Sequence, residues 1–100
     1  MEKRAYERFP AFLSAKLLYD DSFYDALILN MSQSGIYFIA KIDLLSGLNI
    51  EMSIPLESTE IKVPCKIVRI SETGITSYRF GAELLRPSQE YIKFIHSRID

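Results

Sequence analysis

Apolar and polar residues alternate along most of this 100-residue chain. A period of two is typical of β-strands that bury one face. Glycine, proline and acidic residues divide the pattern into six strand-like segments. The predicted strands span residues 11–19, 22–30, 35–40, 48–54, 61–70 and 77–84. Six short strands joined by turns predict a mainly β protein, a small six-stranded antiparallel barrel.

Two local features bear on how these strands are joined. Only Asp20 and Asp21 separate the first two strands, which predicts a tight two-residue hairpin. Pro64 lies inside the fifth predicted strand and cannot donate a ladder hydrogen bond. We therefore expect that strand to lie at an edge or to carry a bulge at Pro64.

The period changes after Pro87. Ser88 can cap a helix, and Glu90 stands in its first turn. Apolar residues then recur near helical spacing at Tyr91, Ile92, Ile95 and Ile99. This pattern predicts a short amphipathic C-terminal helix that packs on the barrel.

A chain of this length is one domain. We divide residues 1–100 into an N-terminal arm at 1–10, a barrel at 11–86 and a helix at 87–100. Pro10 favours an extended conformation at Phe9, and the charged residues before it do not continue the strand pattern.

Two short polar patterns carry the candidate chemistry. Arg4 and Arg8 stand in the arm with three residues between them, and Asn30, Ser32 and Gly35 follow the second strand. Arginine presents a planar set of donors that suits phosphates and guanine edges. Asn and Ser add short polar groups, and Gly lets a backbone come close to a bound molecule. Together the patterns favour a pocket for an anionic guanine nucleotide.

Taken singly, each pattern has a plainer interpretation. The arginine pair could be two solvated surface charges. The second pattern could be a turn, in which Asn and Ser cap their own backbone and Gly takes a positive φ. The two patterns in this order, with two strands between them, favour a binding site.

Composition narrows the class of protein. The net charge is −1, which argues against a general nucleic-acid binder. Cys65 and His96 are the only Cys and His, so neither a zinc site nor a catalytic thiol–imidazole pair is expected. No apolar run is long enough to span a membrane, and the charged N-terminus does not look like a signal peptide. We expect a soluble cytoplasmic protein that is not an enzyme and has no cofactor.

Arg4, Arg8, Asn30, Ser32 and Gly35 together resemble the motif of the PilZ domain family, bacterial receptors for cyclic di-GMP (c-di-GMP). In that family an Arg-x-x-x-Arg segment precedes the barrel and an Asp/Asn-x-Ser-x-x-Gly segment follows about two strands later. The barrel and trailing helix are also similar. The resemblance implies a second-messenger receptor whose ligand-binding residues are these five.

The resemblance also implies how the ligand is held and how its binding is relayed. Arginine can meet both acceptors of a guanine edge, and Asn30 and Ser32 would set guanine selectivity. Lys3 and Ser34 are secondary candidates, Lys3 because a basic residue before the motif could help hold an intercalated ligand pair. We expect the ligand to order the arm and so relay the signal to a protein partner. The alternative is a PilZ-fold adaptor that acts through protein contacts with weak or no nucleotide binding.

Overall fold

The computed structural model describes residues 8–55, 58–72 and 77–99. The elements are β1 (Phe9–Tyr19), β2 (Ser22–Met31), β3 (Gly35–Ala40), β4 (Asn49–Pro55), β5 (Glu60–Glu72), β6 (Tyr78–Leu84) and α1 (Gln89–Ile99). All neighbouring strands are antiparallel, and the sheet closes in the order β1-β2-β3-β6-β5-β4. The predicted fold class, a six-stranded antiparallel barrel with a C-terminal helix, is confirmed.

The barrel interior is filled by the apolar members of the alternating pattern. Phe38 on β3 and Phe80 on β6 are register partners whose rings stack at 5.2 Å between centroids. Buried side chains from every strand and the helix include Leu17, Ile28, Met31, Ile36, Met52, Ile54, Val63, Cys65, Ile67, Ala82, Tyr91 and Ile95. Because the sheet closes on itself, each strand has a partner on both sides and the core is enclosed.

The first hairpin forms as predicted. Tyr19 pairs with Ser22, so Asp20 and Asp21 form a two-residue loop. Their φ angles are 54° and 64°, the left-handed values that a type I′ turn requires at both positions. Aspartate adopts this region more readily than most residues because its short polar side chain can hydrogen-bond locally.

The barrel begins earlier than the sequence predicted. β1 starts at Phe9, where the pairs Phe9↔Met31 and Pro10↔Asn30 already belong to the β1–β2 ladder. Phe9 and Pro10 are therefore barrel residues rather than part of an arm. The rest of the predicted arm, residues 1–7, lies outside the described residues.

The prediction for Pro64 is wrong. β5 lies between β4 and β6, and its register with β4 is unbroken through the pair Glu51↔Pro64. The Pro64 carbonyl accepts a hydrogen bond from the Leu85 N–H at 3.0 Å. A residue's N and C=O point to the same side of a strand, so the missing N–H also faces Leu85, just beyond the last β5–β6 pair, Cys65↔Leu84. The ladder between β4 and β5 therefore does not need the Pro64 N–H.

The C-terminal helix has the predicted cap. The Ser88 hydroxyl accepts a hydrogen bond from the Tyr91 N–H at 3.1 Å, and Glu90 lies in the first turn. Tyr91 and Ile95 are fully buried, and the helix contacts β5. The apolar face of α1 is therefore part of the barrel core.

Candidate functional site

A cleft of about 780 Å³ opens on the outer surface of the barrel. It forms where three ladders change register: between Pro10 and Leu13 on β1, at Leu29 on β2 and at Val68 on β5. A bulge places an extra residue on one strand, bends it and redirects the neighbouring side chains. Pro10, Leu29 and Val68 line the cleft, so these irregularities shape it.

Arg8 and Asn30 meet in this cleft. The Arg8 Nε donates a hydrogen bond to the Asn30 Oδ1 at 2.7 Å, across 22 positions of sequence. The pair Pro10↔Asn30 explains the contact, because it carries Arg8 to the strand end at which the second pattern begins. The structure thus brings together the described members of the two polar patterns. Arg4 and Lys3 lie outside the described residues.

Ser32 lies beneath the cleft rather than in its lining. The residue is 1% exposed, and its hydroxyl accepts hydrogen bonds from the N–H groups of Ser34 and Gly35 at 3.2 and 3.1 Å. The Ser32 N–H donates to the Gly35 carbonyl at 2.9 Å. The side chain therefore closes the loop between β2 and β3. Ser34 is exposed and does line the cleft.

Gly35 is required for close packing. It is buried, starts β3, and has no positive φ; among the described glycines only Gly47 does. A Cβ at Gly35 would lie 3.1 Å from the Ala82 carbonyl oxygen and 3.5 Å from Arg8 Nη1. The absent side chain lets β6 and the Arg8 guanidinium approach the same point. The positive φ expected of a simple turn is not found.

The C-terminal helix is tied to the same loop. The Tyr91 hydroxyl donates a buried hydrogen bond of 2.6 Å to the Ser32 carbonyl. Burial raises the pKa of the Tyr91 hydroxyl above its usual range; Cys65 acts in the same direction, and the positive charge of Arg8 opposes them. Tyr91 thus stays protonated as the donor, and α1 supports the loop from within the core.

Besides its apolar lining, the cleft contains four residues that were not predicted as site residues. Arg69 on β5, Tyr37 on β3 and Glu83 on β6 line the cleft, together with Gly81. A Cβ at Gly81 would lie 3.4 Å from the Arg69 Cβ, so Gly81 leaves room for the Arg69 side chain. Tyr37 is half-buried. Alternation marks Gly81 and Glu83 as outward-facing, but it assigns Arg69 to the apolar face of β5, and the bulge at Val68 turns that side chain outward. Only strand order and register show that these residues converge.

The other chemically reactive residues lie elsewhere. Cys65 is fully buried, and burial raises the pKa of its thiol to about 12, with a further contribution from the charge of Glu51. His96 is exposed on α1. Within residues 8–55, 58–72 and 77–99, no three His, Cys, Asp or Glu side chains are grouped to hold a metal ion. In that same part of the chain, no helix has the length and apolar character needed to cross a bilayer.

The barrel, the helix and the cleft fit one known domain. A family model, the PilZ domain, matches residues 2–98. The chain belongs to the PilZ domain family. The family identification made from the two polar patterns is therefore confirmed. None of the curated proteins compared with this PilZ chain matches it.

Solved structures share the fold at low sequence identity. The Bacillus subtilis inhibitor of motility (MotI/DgrA) superposes with a TM-score of 0.84 at 19% identity, over 99% of this PilZ chain and 51% of that protein. The present chain thus spans about half its length. The PilZ domain of YcgR from Escherichia coli, solved with c-di-GMP, has a TM-score of 0.78 at 16% identity and coverages of 98% and 89%. The PilZ domain of CeSA from a cellulose-synthesizing bacterium has a TM-score of 0.66 at 15% identity, over 94% and 99%.

Proposed function

We propose that this PilZ protein binds c-di-GMP in the cleft and relays the signal to a partner protein. The observation that carries the proposal is the hydrogen bond between Arg8 Nε and Asn30 Oδ1, which joins the two halves of the motif at one place. Membership of the family supports the choice of ligand, and so does the similar PilZ domain of YcgR, whose structure was solved with c-di-GMP.

The cleft suits a nucleotide of this kind in size and chemistry. Its volume of about 780 Å³ lies within the roughly 300–1,000 Å³ typical of ligand pockets. Arg8 and Arg69 are both among its lining residues. Two guanidinium groups can pair with the two phosphodiesters of the ligand or stack on its bases. Glu83 and the Asn30 oxygen are acceptors for guanine amino groups.

The structure supports a division of roles among the motif residues. Arg8 and Asn30 would contact the ligand, and Arg4 and Lys3 would add contacts from the arm. Gly35 would keep the Arg8 guanidinium close to β6. The buried Ser32 hydroxyl would act on selectivity through the loop that it closes, rather than by touching the base. Ser34, exposed on that loop, is the hydroxyl best placed to reach a ligand.

The relay would run through the arm. A ligand held by Arg4 and Arg8 bridges residues 1–7 to the loop between β2 and β3, and so changes the surface offered to a partner. Hydrogen exchange with and without c-di-GMP tests this step, with added protection expected in peptides covering residues 1–9. Binding without such protection would contradict the relay while leaving the receptor assignment intact.

Calorimetric titration of the purified protein with c-di-GMP tests the receptor assignment, with GTP and cyclic GMP as controls. We expect saturable binding of c-di-GMP and at least tenfold weaker binding of either control. If none of the three binds, the domain is better described as a PilZ-fold adaptor that works through protein contacts.

A further inference from the structure

The β1–β2 hairpin carries an exposed apolar surface away from the cleft. We call it the hairpin face; it consists of the side chains of Ser14, Lys16, Leu18, Phe23, Asp25 and Leu27. Phe23 is 65% exposed and Leu27 40%. Single exposed apolar residues are common, but a group on one sheet face marks an interaction surface. None of the described cleft-lining residues belongs to the hairpin face.

The centre of the hairpin face is charged. Lys16 and Asp25 are register partners and form an ion pair whose side chains are 59% and 89% exposed. The hydrogen bond and the charge of Lys16 hold the pKa of Asp25 below its usual value, so the carboxylate is ionised at neutral pH. One positive and one negative group thus stand side by side between two apolar ends.

The other positions of the face are also paired across the two strands. Leu18 on β1 is paired with Phe23 on β2 at one end, so that level is apolar on both strands. At the other end, Leu27 on β2 is paired with Ser14 on β1. The side chain of Ser14 is small and leaves Leu27 accessible.

We propose that the hairpin face is a dimer interface between two copies of this chain. A two-fold axis parallel to the strands places β1 of one copy over β2 of the other. Lys16 then faces Asp25 of the second copy, Leu18 faces its Phe23, and Ser14 faces its Leu27. Every contact occurs twice, as an isologous interface requires. Two sheets pack face to face in this way with strands nearly aligned.

The charge pattern selects a second copy as the occupant. Any partner with apolar side chains could cover Phe23, but this alternation of apolar and paired charged positions is complementary to itself. The net charge of −1 adds little repulsion between copies. Because the cleft residues are separate, the dimer leaves the proposed ligand site open.

Sedimentation equilibrium over a range of protein concentrations tests the proposal. The mass should rise with concentration from 11.5 kDa towards twice that value. Phe23→Asp should weaken the dimer at least tenfold. Leu45→Asp is the matched control, since Leu45 is 70% exposed, close to the 65% of Phe23, but lies outside the hairpin face, and it should leave the dimer unchanged. A monomer at every concentration, or equal effects of the two variants, would overturn the proposal.

A charge exchange separates this geometry from general stickiness. Lys16→Glu and Asp25→Lys should each be monomeric alone, because like charges then face each other across the axis. Mixed in equal amounts, they should form a heterodimer with oppositely charged groups again facing each other. Failure of the mixture to associate, with wild-type protein dimeric, would rule out the proposed axis.

Discussion

At the scale of single residues, Arg8 joins the two motif segments into one site. Its guanidinium bonds to Asn30 and lies beside Gly35. The contact depends on three residue types at once: a long planar cation, a short amide acceptor and a residue without Cβ. Substitution of any of the three should therefore affect the same ligand affinity.

Arg8→Ala should weaken c-di-GMP binding more than tenfold, that is, by over about 1.4 kcal/mol. The variant loses the guanidinium that would pair with phosphate or guanine, while the side chain is exposed and its removal leaves the core intact. Isothermal titration calorimetry measures the change. Arg79→Ala, an exposed arginine on β6 outside the cleft, should bind as wild type. Unchanged affinity in Arg8→Ala would refute the site.

Gly35→Ala should destabilise the fold by about 1–3 kcal/mol, because the new Cβ would lie 3.1 Å from a backbone oxygen of β6. Urea denaturation measures the free energy of unfolding. Gly81→Ala is the control: its Cβ would come no closer than 3.4 Å, and to a side chain. A loss in Gly81→Ala as large as in Gly35→Ala would contradict the close-packing role of Gly35.

At the scale of secondary-structure elements, helix α1 is hydrogen-bonded to the loop between β2 and β3, which carries part of the motif. Ser88 caps the helix, the helix buries Tyr91, and Tyr91 reaches the Ser32 carbonyl. The loop is also fixed from β6, where the Leu84 N–H donates to the Ser34 carbonyl at 3.0 Å. The loop between β2 and β3 is thus held by α1 and β6, two elements that are distant from it in sequence.

Tyr91→Phe should lower the free energy of unfolding by about 1–3 kcal/mol, since it leaves the buried Ser32 carbonyl without this donor. It should also weaken c-di-GMP binding, because the loop loses its support. Denaturation and calorimetry on one preparation measure both. Tyr78→Phe, a partly buried tyrosine on β6, is the control and should change stability by less than about 0.5 kcal/mol. Equal losses in the two variants would argue against the Tyr91 hydrogen bond as the cause.

The buried thiol and phenol set the response of the whole molecule to alkaline pH. Both Cys65 and Tyr91 have raised pKa values because burial disfavours their charged forms. In the unfolded chain a thiol ionises at about pH 8.5. Above that pH the Cys65 thiol loses its proton in the unfolded chain, whereas in the folded protein it keeps the proton up to about pH 12. The stability that these two protonated groups contribute is therefore fully present at neutral pH and is lost as the pH rises.

The free energy of unfolding should fall with pH between roughly pH 9 and 11, by up to about 1.4 kcal/mol per pH unit for Cys65. Urea titrations at a series of pH values measure the slope. Cys65→Ala should be less stable at neutral pH, yet its slope should be smaller. An identical slope in the variant would show that Cys65 does not contribute to the alkaline response.

The sequence predicts most elements because their signals are local. Alternation within a strand, the Asp20-Asp21 turn and the Ser88 cap each depend on residues a few positions apart, and the structure has all three. Pro64 misled the prediction because its effect depends on which neighbour its missing N–H would face. That orientation depends on where β6 ends, about 20 residues further along the chain, so it cannot be predicted from the residues around Pro64.

For the site, residue types and spacing alone single out Arg8, Asn30, Ser32 and Gly35, and with them the family. Tertiary structure alone decides what each one touches. Strand pairing joins Arg8 to Asn30, burial turns the Ser32 hydroxyl inward, and the approach of β6 explains Gly35. Arg69, Glu83 and Tyr91 enter the account only through the closed sheet, because register and closure place residues together that the chain separates by dozens of positions.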